Sequence, residues 1–256
     1  MRMNELIQSL YSFLKGKSQQ RQREVRTFEA ERTIAAVQDI NKKRTLPLVL
    51  EIGVGDGTQT HFWRQLGLVF GVEPYPHIGV QYRNLVRSFS EQLPFADKTF
   101  PLIITSLVIE HIENKTAAFE EMKRIAVPGA LFAHIVPTHV WKILSFYYEF
   151  PNQVLRSLGL RPQVFSHAGF VEEKKYRRSW KLIPPVHGVA FSHIAEFREF
   201  HPRSWRQLFI MHGFEILYEE GLLLYTSFPS LMPPNRVGAR VGLPSTVLFI
   251  MRVNDV

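Results

Sequence analysis

The stretch Leu48-Val49-Leu50-Glu51-Ile52-Gly53-Val54-Gly55-Asp56-Gly57 constrains this chain more than any other. The run Leu48 to Ile52 is apolar apart from one acid, which predicts a strand buried in a parallel sheet. Three glycines in five residues then predict a tight turn at its carboxyl end. Glycine weakens a chain wherever its freedom goes unused, so this density implies that a ligand approaches the backbone closely. In open α/β sheets, ligands bind in that crevice beyond the strand ends.

Which ligand is decided by the details. A dinucleotide site uses G-x-G-x-x-G/A, with the pyrophosphate on a helix N-terminus. Here the third glycine comes one residue early, as Gly53-x-Gly55-x-Gly57, and Thr58 stands where that pattern has Gly or Ala. Glu51 occupies a position that is apolar in nucleotide-binding strands. After a short helix (58–66), a second apolar strand, Leu68 to Val72, ends in Glu73-Pro74. An acid at that tip, about 20 residues past the glycine loop, is placed to accept hydrogen bonds from a ribose diol.

Two further segments follow in order. Ser90-Glu91-Gln92-Leu93-Pro94-Phe95-Ala96-Asp97-Lys98-Thr99-Phe100 precedes a strand, Leu102 to Ser106, and then Val108-Ile109-Glu110-His111-Ile112. Phe119 to Ala126 reads as a helix that Pro128-Gly129 stops, turning the chain into a fifth strand. Together these segments, over residues 48–136, resemble the motifs of class I S-adenosylmethionine-dependent methyltransferases. The likeness is to the branch (methyltransferase type 11-like) that acts on quinones, sterols, sugars and other small molecules.

The resemblance implies an α/β fold with a Rossmann-like seven-stranded sheet. That sheet is mostly parallel, its last strand is antiparallel beside the fifth, and helices cover both faces. It implies S-adenosyl-L-methionine as cofactor, whose sulfonium cation suits an acid such as Glu51 beside the loop. Glu51, Gly53, Gly55, Asp56 and Gly57 would shape the methionine pocket and Glu73 would hold the ribose. Pro74 and Tyr75 would border the adenine, with Ser90, Glu91 and Leu93, and Ser106 would complete the cofactor site. Two positions depart from the family: Phe89 stands where an Asp often contacts the adenine amino group, and Pro101 replaces the usual Asp after Phe100. Proline is tolerated at a strand start, where its missing N–H need not join the ladder.

Methyl transfer is an in-line displacement, so holding the nucleophile about 3 Å from the methyl carbon is the main requirement. A base is needed only for a weakly acidic acceptor. His111, just beyond the fourth strand, is the candidate catalytic base, with Glu110 as second choice. The N/D-P-P-Y run of many amino-group methyltransferases is absent, since that place reads Thr105-Ser106-Leu107-Val108. The aspartate of metal-dependent catechol-type enzymes is absent there too. The spacing of His187, His193 and His201 matches no metal motif, so no metal is expected.

With 256 residues the chain suits one core with embellishments. Residues 1–45 read as two leading helices, from the apolar face of Leu6, Ile7, Leu10, Tyr11, Phe13 and Leu14 and from a segment beginning at Phe28, separated by the charged stretch Lys15 to Arg26. They would lid or cap the pocket. Residues 46–136 form the cofactor-binding core, 137–200 a substrate-recognition insertion, and 201–256 the completion of the core. In the last part, residues 204–213 read as a helix, Phe214 to Tyr218 with Leu222 to Tyr225 as a sixth strand, and Thr246 to Val253 as a seventh.

The net charge of +8 favours an anionic partner. The run Lys174-Lys175-Tyr176-Arg177-Arg178-Ser179-Trp180-Lys181 is suited to a phosphate or polyanion with ring stacking, or to a solvated face. No cysteine is present, and no signal peptide or membrane-length apolar window is apparent. The expectation is a cytoplasmic enzyme, with peripheral contact to anionic lipid through the first helix as the sharper variant. Its acceptor would be a small molecule or a lipid- or sugar-linked metabolite methylated on oxygen or carbon. The rivals are an RNA methyltransferase, a cofactor-binding but silent subunit and, weakest, a nicotinamide dehydrogenase; oligomeric state is open.

Overall fold

The computed structural model describes residues 3–42, 46–76, 83–157, 186–226 and 234–254. The basic run 174–181 lies outside them, as do the side chains of residues 3–18.

The apolar run Leu48–Ile52 forms β1, flanked in parallel by β2 (Leu68–Val72) and β4 (Phe100–Ser106). The two-residue β3 (Leu85–Val86) extends the sheet beyond β2, and β5 (Ala126–Pro137) extends it beyond β4. β7 (Thr246–Val253) inserts antiparallel between β5 and β6 (Phe214–Gly221), giving the order β3-β2-β1-β4-β5-β7-β6. Strand order reverses between β1 and β4, which opens a crevice at their carboxyl ends. The glycine turn leaves β1 at that point.

Because side chains alternate along a strand, the sheet feeds two apolar layers. Leu50, Ile103, Phe132 and Phe249 point to one face, where they pack with Phe119 of α3 (Lys115–Ile125) and Trp205 and Phe209 of α6 (Pro202–Met211). Val49, Ile104, Ala133 and Ile250 point to the other, against Ala30, Ile34 and Val37 of α1 (Met3–Ile40) and Trp63 of α2 (Thr60–Trp63). Local signals set the helix ends: the Asn114 side chain accepts from the Ala117 N–H to start α3, and Gly213 at φ +81° follows α6.

Several boundaries differ from the sequence reading. α1 is one helix of 38 residues, not two. The Lys15–Arg26 stretch is made of good helix formers apart from Gly16, Ser18 and Val25, and i,i+4 and i,i+3 pairs such as Gln20–Glu24 and Arg26–Glu29 support it. β6 runs to Gly221, and beyond it, among the described residues, Leu224 makes an isolated bridge to Asn235. The helix before β5 ends at Ile125, ahead of Pro128, because β5 already begins at Ala126 opposite Phe100.

Candidate active site

All three glycines of the turn adopt positive φ: +80° at Gly53, +56° at Gly55 and +75° at Gly57. At Gly53 there is also no room, since a Cβ would stand 2.2 Å from Cγ2 of Val108, just past β4. At Gly55 the space is open, so the backbone there faces no packed neighbour. The Gly53 and Val54 N–H groups donate to the Val72 carbonyl, pinning the turn to the end of β2. Asp56 accepts from the Thr58 N–H at 3.0 Å and shapes the turn itself.

The two strand-tip acids have different surroundings. Glu51 is buried, taking the Thr60 hydroxyl at 2.5 Å and the Trp63 indole N–H at 2.9 Å. Burial pushes its carboxyl up to about 7, against the lowering effect of those two donors. It therefore ties α2 to β1 beneath the loop. Glu73 accepts from the Gly55 N–H at 2.9 Å and the Tyr75 N–H at 3.1 Å, so it closes the gap between the tips of β1 and β2. Pro74 follows, its carbonyl accepting from Arg87 at 2.9 Å.

The adenine-side candidates lie along the next segment. Tyr75 and Phe89 meet edge to face at 5.8 Å between centroids, and both are exposed. The pair includes Phe89, the position where the sequence departs from the family's usual Asp. The Ser90 hydroxyl donates to Glu91 at 2.8 Å, and Leu93 is buried with its N–H on Glu121. Arg124 explains why the Leu-Pro-Phe-x-Asp segment holds its path. Its guanidinium donates to the Leu93 and Phe95 carbonyls and to Asp97 and Glu121.

Beyond β4 the chain forms a 3₁₀ turn, Ile109–His111. Ser106 accepts from Arg26 of α1 at 3.2 Å, a long-range partner that no local motif signals. Arg26 also pairs with Glu29, a fully buried acid that takes the Tyr225 hydroxyl at 3.1 Å and the Thr246 hydroxyl at 2.9 Å.

His111 is exposed, and its ring lies 4.8 Å from that of His187, which in turn meets Trp141 of α4 (His139–Ser157) at 4.6 Å. Desolvation by the neighbouring groups lowers the proton affinity of both imidazoles. Glu110 beside them is buried and is pushed up to about 8 by that burial. Glu196 of α5 (His193–Glu199) is a buried acid paired with Lys142. Its carboxylate accepts from the His187 and Gly188 N–H groups at 2.6 and 3.0 Å.

The sequence-predicted loop, strand-tip and post-β4 residues thus gather along one crevice. Arg26, His187, Lys142 and Glu196 join them from distant segments. The strand order and the glycine turn are those of the Rossmann-like fold of class I S-adenosylmethionine-dependent methyltransferases. More particularly, residues 50–134 match the methyltransferase domain family, so the chain carries that domain.

Among curated relatives, the chain is similar to a demethylmenaquinone methyltransferase of Roseiflexus sp., 29% identical over 55% of this chain and 63% of that protein. It is also similar to a ubiquinone/menaquinone biosynthesis C-methyltransferase of Cupriavidus metallidurans, 33% identical over 28% of this chain and 30% of that protein. The chain thus spans less than two thirds of the length of these relatives. Among solved structures, one is a SAM-dependent methyltransferase of Thermotoga maritima, described as a possible histamine N-methyltransferase. It superposes with a TM-score of 0.51 at 18% identity, covering 90% of this chain and 92% of that one. A further methyltransferase structure, from Bacillus halodurans, gives 0.50 at 12% identity over 86% and 98%.

Proposed function

We propose that this protein transfers a methyl group from S-adenosylmethionine to oxygen or carbon of a small-molecule or lipid- or sugar-linked acceptor. The observation that carries the reading is the cradle at the β1 and β2 tips. There the open backbone at Gly55 and the Glu73 carboxylate bonded to its N–H offer what a nucleoside with a cationic side chain requires. S-adenosylmethionine, when bound, supplies an electrophilic methyl group on sulfonium sulfur.

The protein's part is binding, orientation and exclusion of water. Gly53, Gly55 and Gly57 let the backbone approach the methionine moiety, and Glu73 would accept from the ribose hydroxyls after reorienting from Gly55. Tyr75 and Phe89 would enclose the base, with Ser90, Glu91 and Leu93 along its edge. The paired His111 and His187 would mark the acceptor side, and a neutral imidazole at His111 would take the acceptor's proton. The quinone-modifying relatives favour a ring acceptor with a hydroxyl group.

Calorimetry of purified protein with S-adenosylmethionine and with S-adenosylhomocysteine tests the cofactor. Stoichiometric binding is expected, and absence of heat with both ends the proposal. Transfer of labelled methyl to hydroquinones and other phenolic acceptors then tests the acceptor class.

A further inference from the structure

We propose that Glu110, His111 and His187 form a site for one divalent transition-metal ion at the acceptor end of the crevice. One carboxylate oxygen and two imidazole nitrogens lie within 4.8 Å of one another. Ligand atoms around a tetrahedral ion stand about 3.3 Å apart, given metal–ligand bonds of about 2.0–2.1 Å. Side-chain rotation of the two exposed imidazoles closes that difference. Two histidines with one carboxylate are a donor set for zinc, iron(II) or cobalt(II), and leave positions open to an incoming ligand.

The second observation is Glu110 itself. It is 2% exposed, and neither carboxylate oxygen has a hydrogen-bond partner. Folded proteins seldom leave a buried acid with both oxygens unmet. The nearby cations are engaged elsewhere: Arg26 with Glu29 and Ser106, Lys142 with Glu196, and Lys115 with the Ile112 carbonyl. A metal ion supplies the missing partner.

The backbone around the cluster is built to hold it. The Val189 N–H donates to the Glu110 carbonyl at 3.1 Å, and a Cβ on Gly188 would stand 2.5 Å from that same oxygen. Glycine is therefore what lets the His187 loop dock on the 3₁₀ turn, while Glu196 fixes the loop from behind. The site's role in the reaction rests on the methyltransferase reading. With His111 engaged as a ligand in place of its part as base, the site selects an acceptor with an ionisable oxygen, whose O–H bond breaks with the electron pair kept on oxygen and the proton released to solvent.

The test uses the full chain, tag-free and stripped with chelator, with no S-adenosylmethionine present. Zinc chloride is titrated by calorimetry and cobalt(II) chloride by visible absorption. One equivalent of each metal, with ligand-field bands for cobalt, is expected. Glu110→Gln and His187→Ala should each weaken binding at least about tenfold, whereas His61→Ala, an exposed histidine on α2, should bind as wild type does. Absence of stoichiometric binding overturns the site, and so does unchanged affinity in His187→Ala, an exposed position that keeps the test valid if the Glu110 variant misfolds. Calorimetry with S-adenosylmethionine on the same metal-free sample is scored separately, so loss of the metal site and loss of the methyltransferase reading are distinguishable.

Discussion

Glu51 and Glu73 both end parallel strands, and their environments divide the work between them. Glu73 is half-buried and bonded to two backbone N–H groups at the open side of the turn. Glu73→Ala should weaken S-adenosylmethionine binding by about 1–3 kcal/mol through lost charged hydrogen bonds, measured by calorimetry. Glu51 is sealed under the loop, and its carboxyl is raised to about 7 from the ordinary 4.5. Below about pH 4.5 it is protonated whether the chain is folded or not. As pH rises towards 7 the unfolded chain releases that proton first, so folding stability falls, by up to about 1.4 kcal/mol per pH unit. Glu51→Gln should flatten this decline in a series of thermal melts between pH 4.5 and 7.5.

His134 in β5 has the opposite sign. It is fully buried, joined to the Thr105 hydroxyl at 2.8 Å and stacked on Phe209, and burial lowers it to about 3. The unfolded chain takes a proton near pH 6.5 and the folded one does not, so stability is lost as pH falls from about 6.5 towards 3. His134→Gln should remove that acid sensitivity in denaturant titrations. Among single residues, the glycines and strand-tip acids were legible because their spacing is local. Arg26 and His187 were not, since nothing near them in sequence announces the partners that tertiary folding brings.

Elements were legible where a periodic or apolar run was long enough. β1, β2 and β7 match their expected bounds, because each is a run of largely apolar residues, which leaves a strong pattern. β3, two residues long, carries no such pattern and is defined by pairing with β2 alone. The charge-rich stretch Lys15 to Arg26 suggests a break in α1 by sequence, but charge does not break a helix whose residues mostly have high intrinsic propensity. The turn between β1 and α2 belongs to this scale as well. Gly53→Ala should disrupt it, because positive φ and the clash with Val108 act together. Gly129→Ala meets open space and bears only the φ penalty of about 1 kcal/mol. Comparing the two by chemical denaturation separates conformational strain from crowding.

At the scale of the molecule, strand order and the antiparallel β7 followed from resemblance rather than from residue patterns, and the sheet agrees with both. Among the described residues no helix is long and apolar enough to cross a membrane. The placement of α1 was the part least open to sequence reasoning, for it depends on Glu29. That acid gathers Arg26, Tyr225 and Thr246, and Glu29→Ala would leave two buried hydroxyls without an acceptor. A loss of at least about 2 kcal/mol is expected in urea melts, with weaker cofactor binding, because Arg26 would no longer be held on Ser106.

The same acid has a temporal consequence. Its Thr246 partner lies in the strand that also separates β5 from β6, so neither the sheet's far half nor the leading helix can lock until some two hundred further residues have been synthesised. Nascent chains stalled before that strand should accordingly be cut by protease within α1, whereas chains released after it should resist.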